Sequence, residues 1–200
     1  SSKDYKHRLN VYSSIQSIGR ESYYGAGQDT NAYGKTKDFT VVSGAQYSYD
    51  FDNFLFMPSS LTAGVEYSYN KLNDLMLGYH RKINQDVSVY SVYLQNEWKT
   101  GQFSFLLGGR LDKNSKIDDP IFSPRLNIRY NPIPDLSLRA SYSEGFRAPQ
   151  TYDEDLHVAA VGGKVTLIQV AKDLKTERSR SYSASVDYYA TWGPVQINLL

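Results

Sequence analysis

The sequence predicts an all-β protein, an antiparallel up-and-down meander that forms part of a transmembrane β-barrel. Three observations predict it: period-two alternation over long stretches, tight turns that alternate with longer polar connections, and charged residues recurring mid-strand on the polar face. Phe39, Val41, Ala45, Tyr47 and Tyr49 alternate with Thr40, Gly44, Gln46 and Ser48. A period of two puts apolar side chains on one face and polar ones on the other. Alternation alone fits a soluble sheet; long strands and lopsided connections fit a barrel with a polar lumen.

The strands follow in order. The first runs near Arg8 to Ile18, with Leu9, Val11 and Ile15 on one face. A loop rich in Gly, Tyr and Asn, Gly19 to Lys37, leads to the second strand, Asp38 to Phe51. A tight turn at Asp52-Asn53 joins it to the third, Phe54 to Asn70. A loop spans Leu72–Asp86, and the fourth strand, Val87 to Lys99, turns at Thr100-Gly101 into the fifth, Gln102 to Asp112. Lys113 to Pro120 form a shorter polar loop before the sixth strand, Ile121–Tyr130. Asn131-Pro132-Ile133-Pro134 is expected to be a turn, because two prolines withhold ladder donors. The seventh strand is Asp135 to Ser143. A long segment, Glu144 to Thr176, precedes the eighth at Glu177–Thr191, and Trp192-Gly193-Pro194 turns the chain into a ninth. Every second connection is therefore tight and built from turn-forming residues. In a barrel this gathers the tight turns at one rim and the long loops at the other. Glu66, Arg110, Arg125, Arg129, Arg139 and Asp187 sit mid-strand on the polar face, which suits a wet or plugged interior.

Composition agrees and excludes several classes. The chain has 200 residues, a net charge of +1, 18 Tyr, 8 Phe, 2 Trp and no Cys. The charge balance gives no case for nucleic acid, and the lack of Cys rules out disulfides and thiolate metal sites. No apolar run reaches the roughly 20 residues of a spanning helix, but barrel strands need only about 9–11 residues with every second one apolar. Tyr47, Tyr49, Phe51, Phe54 and Phe56 flank one tight turn, and Tyr188 and Trp192 flank another. That placement predicts an interfacial aromatic girdle, ring in apolar surroundings and hydroxyl toward water. Ser1 to Asn10 is polar throughout and does not resemble a signal peptide, so an exported protein is expected to have lost its leader.

Tyr142-Ser143-Glu144-Gly145-Phe146-Arg147-Ala148-Pro149 resembles the GFRAP signature of TonB-dependent outer-membrane receptors. Leu174-Lys175-Thr176-Glu177-Arg178-Ser179 resembles that family's LKPE-S segment, with Thr176 in place of the usual proline. Leu61–Tyr67 is similar to its GVEY strand, Val92–Trp98 with Leu107–Asp112 to its Q-EW … GGRLD hairpin, and Ser123-Pro124-Arg125-Leu126 to its SPR strand opening. The resemblance covers roughly residues 55–192, in the family's order. It implies a barrel of about 22 strands filled by an N-terminal plug domain. It further implies uptake of a scarce nutrient (siderophore, haem or cobalamin) energised through the TonB complex, in the bacterial outer membrane. About nine strands, an odd number, with neither plug nor TonB box, are expected to be a middle section of such a barrel. Two alternatives stay open: a small closed barrel of 8–10 strands acting as porin or anchor, whose first and last strands pair, and a soluble all-β binding module packed sheet on sheet.

Long loops on a rigid scaffold carry function, so the ligand surface is sought at Tyr23, Tyr24, Tyr33, His80, Arg81 and Tyr152. Gly145, Phe146, Arg147, Ala148, Pro149, Leu174, Lys175 and Glu177 are read as structural members of the family motifs. Asp153, Glu154, Asp155 and His157 are metal-ligand types close in sequence, but a solvated acidic loop accounts for them, and no metal or cofactor is expected. Nothing looks catalytic. His7, His80 and His157 lack a motif, no G-x-S-x-G or H-E-x-x-H occurs, and Gly25-Ala26-Gly27 lacks the third glycine of a nucleotide loop. The expected partners are outer-membrane lipid, a small-molecule nutrient and the TonB complex.

Overall fold

A computed structural model describes residues 5–23, 32–151, 156, 159–161, 164–166, 171, 173–192 and 195–199. Eleven strands follow the chain: β1 (His7–Tyr23), β2 (Tyr33–Phe54), β3 (Met57–Met76), β4 (Arg81–Lys99), β5 (Phe103–Asn114), β6 (Ile121–Ile133), β7 (Leu136–Arg147), β8 (Ala159–Val161), β9 (Lys164–Thr166), β10 (Glu177–Trp192) and β11 (Val195–Leu199). Nine form one antiparallel meander in the order β1-β2-β3-β4-β5-β6-β7-β10-β11, and β8 and β9 make a separate hairpin. Among the described residues β1 and β11 do not pair, so the sheet is open and does not close into a small barrel.

Register fixes the two faces. Val11 lies opposite Ala45, Ala45 opposite Val65, Val65 opposite Val92, and Val92 opposite Leu111. The adjacent row holds Tyr12, Gly44, Glu66, Ser91 and Asp112 in the same way. Exposure is inverted relative to a soluble sheet. Leu9, Val11, Ile15, Val65, Val92, Leu94 and Val186 are each more than 50% exposed, whereas Thr36, Ser48, Thr62, Ser91, Asp112 and Asp187 are all buried. An apolar face turned outward and a polar face turned inward define a lipid-facing wall around a lumen.

The girdle takes shape at the tight-turn rim. His7 and Tyr49 rings lie 4.5 Å apart, Tyr49 and Phe51 4.5 Å, Phe51 and Phe54 5.0 Å, Phe56 and Trp98 5.5 Å, and Trp98 and Phe105 5.6 Å. The Trp98 indole N–H donates to the Phe54 carbonyl at 2.9 Å, so its polar atom is satisfied while the ring packs among aromatics. A second aromatic level consists of Tyr67 against Tyr90 and Tyr142 against Tyr182, each pair 4.9 Å apart. On β4, Trp98 and Tyr90 are separated by about 27 Å of strand at the usual rise, which at a tilt of about 40° spans about 20 Å, most of the height of an apolar band about 25 Å tall.

Several boundaries differ from the sequence expectation. β2 and β3 have 22 and 20 residues, so the hairpins rise beyond the apolar band. The segment expected to be a loop over Leu72–Asp86 is strand except for a 3-10 turn at Leu77–Tyr79 and His80, whose φ is 52°. Beyond the bilayer both faces of a strand meet polar surroundings, so alternation fades although pairing continues. The turn expected at Asp52-Asn53 falls at Leu55-Phe56, with Leu55 at φ 68° and an irregularity in register between Phe51 and Phe54. Asn131-Pro132 is not a turn either; β6 runs to Ile133 through a register shift between Tyr130 and Ile133. Pro132 sits where the ladder is already interrupted, so its missing N–H costs nothing. The Asn131 N–H donates outward to the Gln102 carbonyl at 2.7 Å.

Two glycines on the inner face exist for close approach. A Cβ on Gly64 would lie 2.2 Å from the Tyr93 ring, and one on Gly44 2.5 Å from the Tyr12 ring. Each aromatic lies flat over a neighbouring strand's bare backbone, an arrangement that pins register. Gly64→Val is expected to expel the Tyr93 ring and break its 3.0 Å hydrogen bond to Gln46. The stability loss should be about 1–3 kcal/mol, measured by denaturant unfolding in detergent or lipid.

Candidate functional site in the lumen

The inner face carries two polar constellations. Midway along the wall, Glu66 accepts from Tyr12 Oη at 2.6 Å and from Arg110 Nη2 at 2.7 Å. Arg110 also donates through Nε to Asp112 at 2.8 Å and through Nη2 to Ser91 at 2.8 Å, while Ser91 donates to Asp112 at 2.5 Å. β1, β3, β4 and β5 place these groups because each contributes the inner-row residue at nearly one level. Charge-assisted bonds of this kind are the stronger class and hold side chains in fixed geometry. Further along the wall Arg139 Nη1 lies 3.2 Å from Asp187 Oδ2, off hydrogen-bond geometry.

The second constellation lies toward the rim of the long connections. Asn70 Nδ2 donates to Asp38 Oδ2 at 2.8 Å and to Thr40 Oγ1 at 2.9 Å, and Thr40 donates to Asp38 Oδ1 at 3.0 Å. Beside it, Asp74 accepts from Thr36 at 2.6 Å and from Arg81 Nη2 and Nε at 2.9 and 3.1 Å. Both members of the Arg81–Asp74 pair are buried, with side-chain exposures of 3% and 2%.

The segment after β7 folds back onto this region. Arg81 Nη2 donates to the Leu156 carbonyl at 2.9 Å. Gln85 binds Thr151 twice, through Nε2 to its carbonyl (3.0 Å) and through Oε1 from its N–H (2.8 Å). The GFRAP motif starts that return. Gly145, Phe146 and Arg147 end β7 opposite Ser179, Arg178 and Glu177, Ala148 is buried, and the Gln150 N–H closes a turn over Pro149 to the Ala148 carbonyl at 2.8 Å. Gln150 and Thr151 then roof a cavity of about 370 Å³ whose walls include Gln16, Arg20, Thr36, Asp38, Asn70 and Leu72. The cavity combines the apolar side chains of Ile18 and Leu72 with amide, guanidinium and carboxylate groups, so it suits a ligand with both apolar surface and hydrogen-bonding groups. Gln85→Ala removes both bonds to Thr151 and is expected to speed proteolytic cleavage within residues 148–176 about tenfold at a net ~1 kcal/mol or more for the lost bonds, scored by limited proteolysis.

The residues singled out in the sequence are scattered. Tyr23 and Tyr33 face each other in register with rings 4.7 Å apart, but on the outward row of the β1–β2 hairpin, away from the cavity. His80 is exposed on the β3–β4 turn. Arg81 is not on a loop surface; it opens β4 and is spent on Asp74. Tyr24, Tyr152, Asp153, Glu154, Asp155 and His157 lie outside the described residues, and among the described residues no cluster is arranged to hold a metal ion. Leu174 and Lys175 are exposed, the Leu174 N–H donates to the Ala171 carbonyl at 3.3 Å, and Glu177 opens β10. The cavity residues Gln16, Arg20, Asp38 and Asn70 went unmarked in the sequence. Extending the inner-row parity past the apolar band finds them, since all four are even-numbered residues of β1–β3.

An open antiparallel wall with an apolar outward face and a charged inward face defines a class, the transmembrane β-barrels. The family profile described as "TonB dependent receptor-like, beta-barrel" matches residues 1–199. The chain belongs to that family. No curated protein sequence matches it. Similar solved structures include the siderophore receptor PirA from Acinetobacter baumannii, with TM-score 0.64 and 19% identity over 91% of this chain and 30% of that one. The PirA receptor from Pseudomonas aeruginosa gives TM-score 0.62 and 14% identity over 92% and 38%. The ferripyoverdine receptor of the outer membrane of P. aeruginosa, solved with ferripyoverdine, gives 0.58 and 14% over 91% and 28%. The chain thus spans less than two fifths of the length of these receptors. All are receptors, and the family is one of transport rather than catalysis.

Proposed function

We propose that this chain is a middle portion of the barrel of a receptor in the outer membrane of a Gram-negative bacterium, which takes up a ferric siderophore with energy relayed by the TonB complex. On this proposal the plug domain and TonB box belong to parts of the protein beyond these 200 residues. The observation that carries the ligand choice is the cavity of about 370 Å³ on the inner wall beneath Gln150 and Thr151, where Gln16, Arg20, Asp38 and Asn70 stand beside Ile18 and Leu72. Its amide, guanidinium and carboxylate groups suit the oxygen-rich surface of a ferric chelate, and Ile18 and Leu72 suit the chelate's apolar parts. The structural neighbours, which include receptors solved for siderophore, enterobactin and pyoverdine uptake, support the same class.

The test is binding to the purified full-length receptor. Ferric catecholate and hydroxamate siderophores, haem and cobalamin are titrated separately, following intrinsic fluorescence. One of the ferric chelates is expected to quench the signal at submicromolar concentration, and Asn70→Leu to weaken it. Tight binding of haem or cobalamin with no response to any ferric chelate refutes the siderophore assignment.

A further inference from the structure

The guanidinium groups around the cavity beneath Gln150 and Thr151 are each matched with a carboxylate. Arg20 and Asp38 line the cavity together, on diagonal positions of the inward row where Ile18 faces Asp38 and Arg20 faces Thr36. Asp38 is fixed there by Asn70 Nδ2 at 2.8 Å and Thr40 Oγ1 at 3.0 Å. Beside it the Arg81 guanidinium lies 2.9 Å from Asp74, with both groups buried. Where β7 ends and the roofing segment begins, Arg147 stands opposite Glu177 in register. Toward mid-wall, Arg110 is held between Glu66 at 2.7 Å and Asp112 at 2.8 Å.

The same stretches of strand carry lysines, and ladder parity turns them away from the cavity. Lys35 and Lys37 alternate with Thr36 and Asp38 on β2, Lys71 with Asn70 and Leu72 on β3, and Lys82 follows Arg81 on β4. All four lysines are exposed. A wall that recruits a multiply charged anion presents cations of this kind inward, without acids beside them. This wall does the reverse. What it turns toward the cavity besides the matched charges is neutral: the amides of Gln16, Asn70 and Gln150, and the apolar side chains of Ile18 and Leu72.

We propose that the cavity selects an electroneutral ferric chelate of the tris-hydroxamate class and discriminates against trianionic tris-catecholates, with Asp38 as the specificity-determining residue. This choice rests on the reading of the cavity as the siderophore site. The chemistry of the two chelates separates them. Three hydroxamates carry one negative charge each and cancel that of iron(III), whereas three catecholates carry two each and leave the complex a trianion. A trianion entering the cavity gives up hydration, meets the Asp38 carboxylate and finds Arg20 already balanced by it. Like charge placed against a wrong partner is an effective way to reject it. A neutral chelate pays neither cost, and its amide and hydroxamate oxygens and aliphatic spacers match the amides and the Ile18 and Leu72 side chains.

The experiment titrates the detergent-purified full-length receptor with the neutral ferric complex of a cyclic tris-hydroxamate peptide and with trianionic ferric enterobactin, following intrinsic fluorescence. The tris-hydroxamate is expected to bind at least about tenfold more tightly. Its affinity should stay constant between about 50 mM and 500 mM salt, because a neutral ligand has no charge to screen. Asp38→Asn is expected to move the ratio of the two affinities at least about tenfold toward enterobactin, since only the trianion feels the carboxylate. A merely structural role for Asp38 weakens both ligands alike and leaves the ratio where it was, which overturns the assignment of specificity. Equal or tighter binding of ferric enterobactin to the wild type overturns the neutral-chelate inference and leaves the siderophore reading standing. Binding of neither chelate, with haem or cobalamin bound tightly in the same assay, brings down the siderophore reading itself and this inference with it.

Discussion

Arg81→Ala is expected to destabilise the barrel wall by about 3–5 kcal/mol, the cost of leaving one member of a buried pair uncompensated. Asp74 is nearly inaccessible and takes two of its three side-chain hydrogen bonds from Arg81. The guanidinium also reaches the Leu156 carbonyl and Met76 Sδ, so its loss unfastens the returning segment. Denaturant unfolding followed through Trp98 gives the stability change, and limited proteolysis reads the segment. Replacing both partners with apolar residues, Arg81→Met with Asp74→Leu, should recover most of the loss, because a buried pair contributes little beyond its own desolvation. A double variant as unstable as Arg81→Ala alone sinks that account and assigns the loss to the Leu156 contact. Arg81→Lys should fall between the two, since an ammonium cannot reproduce the paired Nε and Nη2 donors.

Leu94→Arg is expected to cost about 2–4 kcal/mol in a bilayer, whereas Gln95→Arg, one position along the same strand, stays within about 1 kcal/mol. Leu94 is 55% exposed, sits midway between Tyr90 and Trp98 on β4, and shares its outward row with Ala63 and Gly109. Gln95 faces the lumen beside Thr62 and Gly108. In a water-soluble sheet an exposed leucine is replaced by arginine at almost no cost, so the comparison decides which solvent the outer face meets. Folding yields into vesicles, scored by heat-dependent gel mobility, supply the measurement. Equal tolerance at both positions refutes the lipid assignment of the outer wall.

The pattern of β2 to β5 was legible because inside the bilayer each strand sees two different solvents. Val65 and Glu66 cannot trade faces, and a slip of one residue would put Glu66 and Arg110 into lipid. The signal fails where that contrast ends. Residues 72–86 read as loop, yet Leu72–Met76 and Arg81–Asp86 are paired strand, held by the ladder and by Arg81 on Asp74. The chain reverses at Leu55-Phe56 rather than at Asp52-Asn53 for a related reason. Asp52-Asn53 has turn chemistry, but the aromatic packing of Phe51, Phe54 and Phe56 with Trp98 sets where the chain reverses. At the site, Tyr23 and Tyr33 have the residue type of a ligand surface, but parity sends them outward. Gln16, Asp38 and Asn70 reach the cavity because parity sends them inward.

The sequence by itself determined the fold class, the inward and outward rows within the apolar band and the family, because alternation and ordered motifs are local properties that each strand carries alone. Only the tertiary structure decided that Arg81 is buried and that Gln150 and Thr151 roof a cavity with β1–β3. Those contacts join residues from separate hairpins, and their meeting depends on register summed across several strands and on where the segment after β7 returns. No single stretch of sequence encodes either.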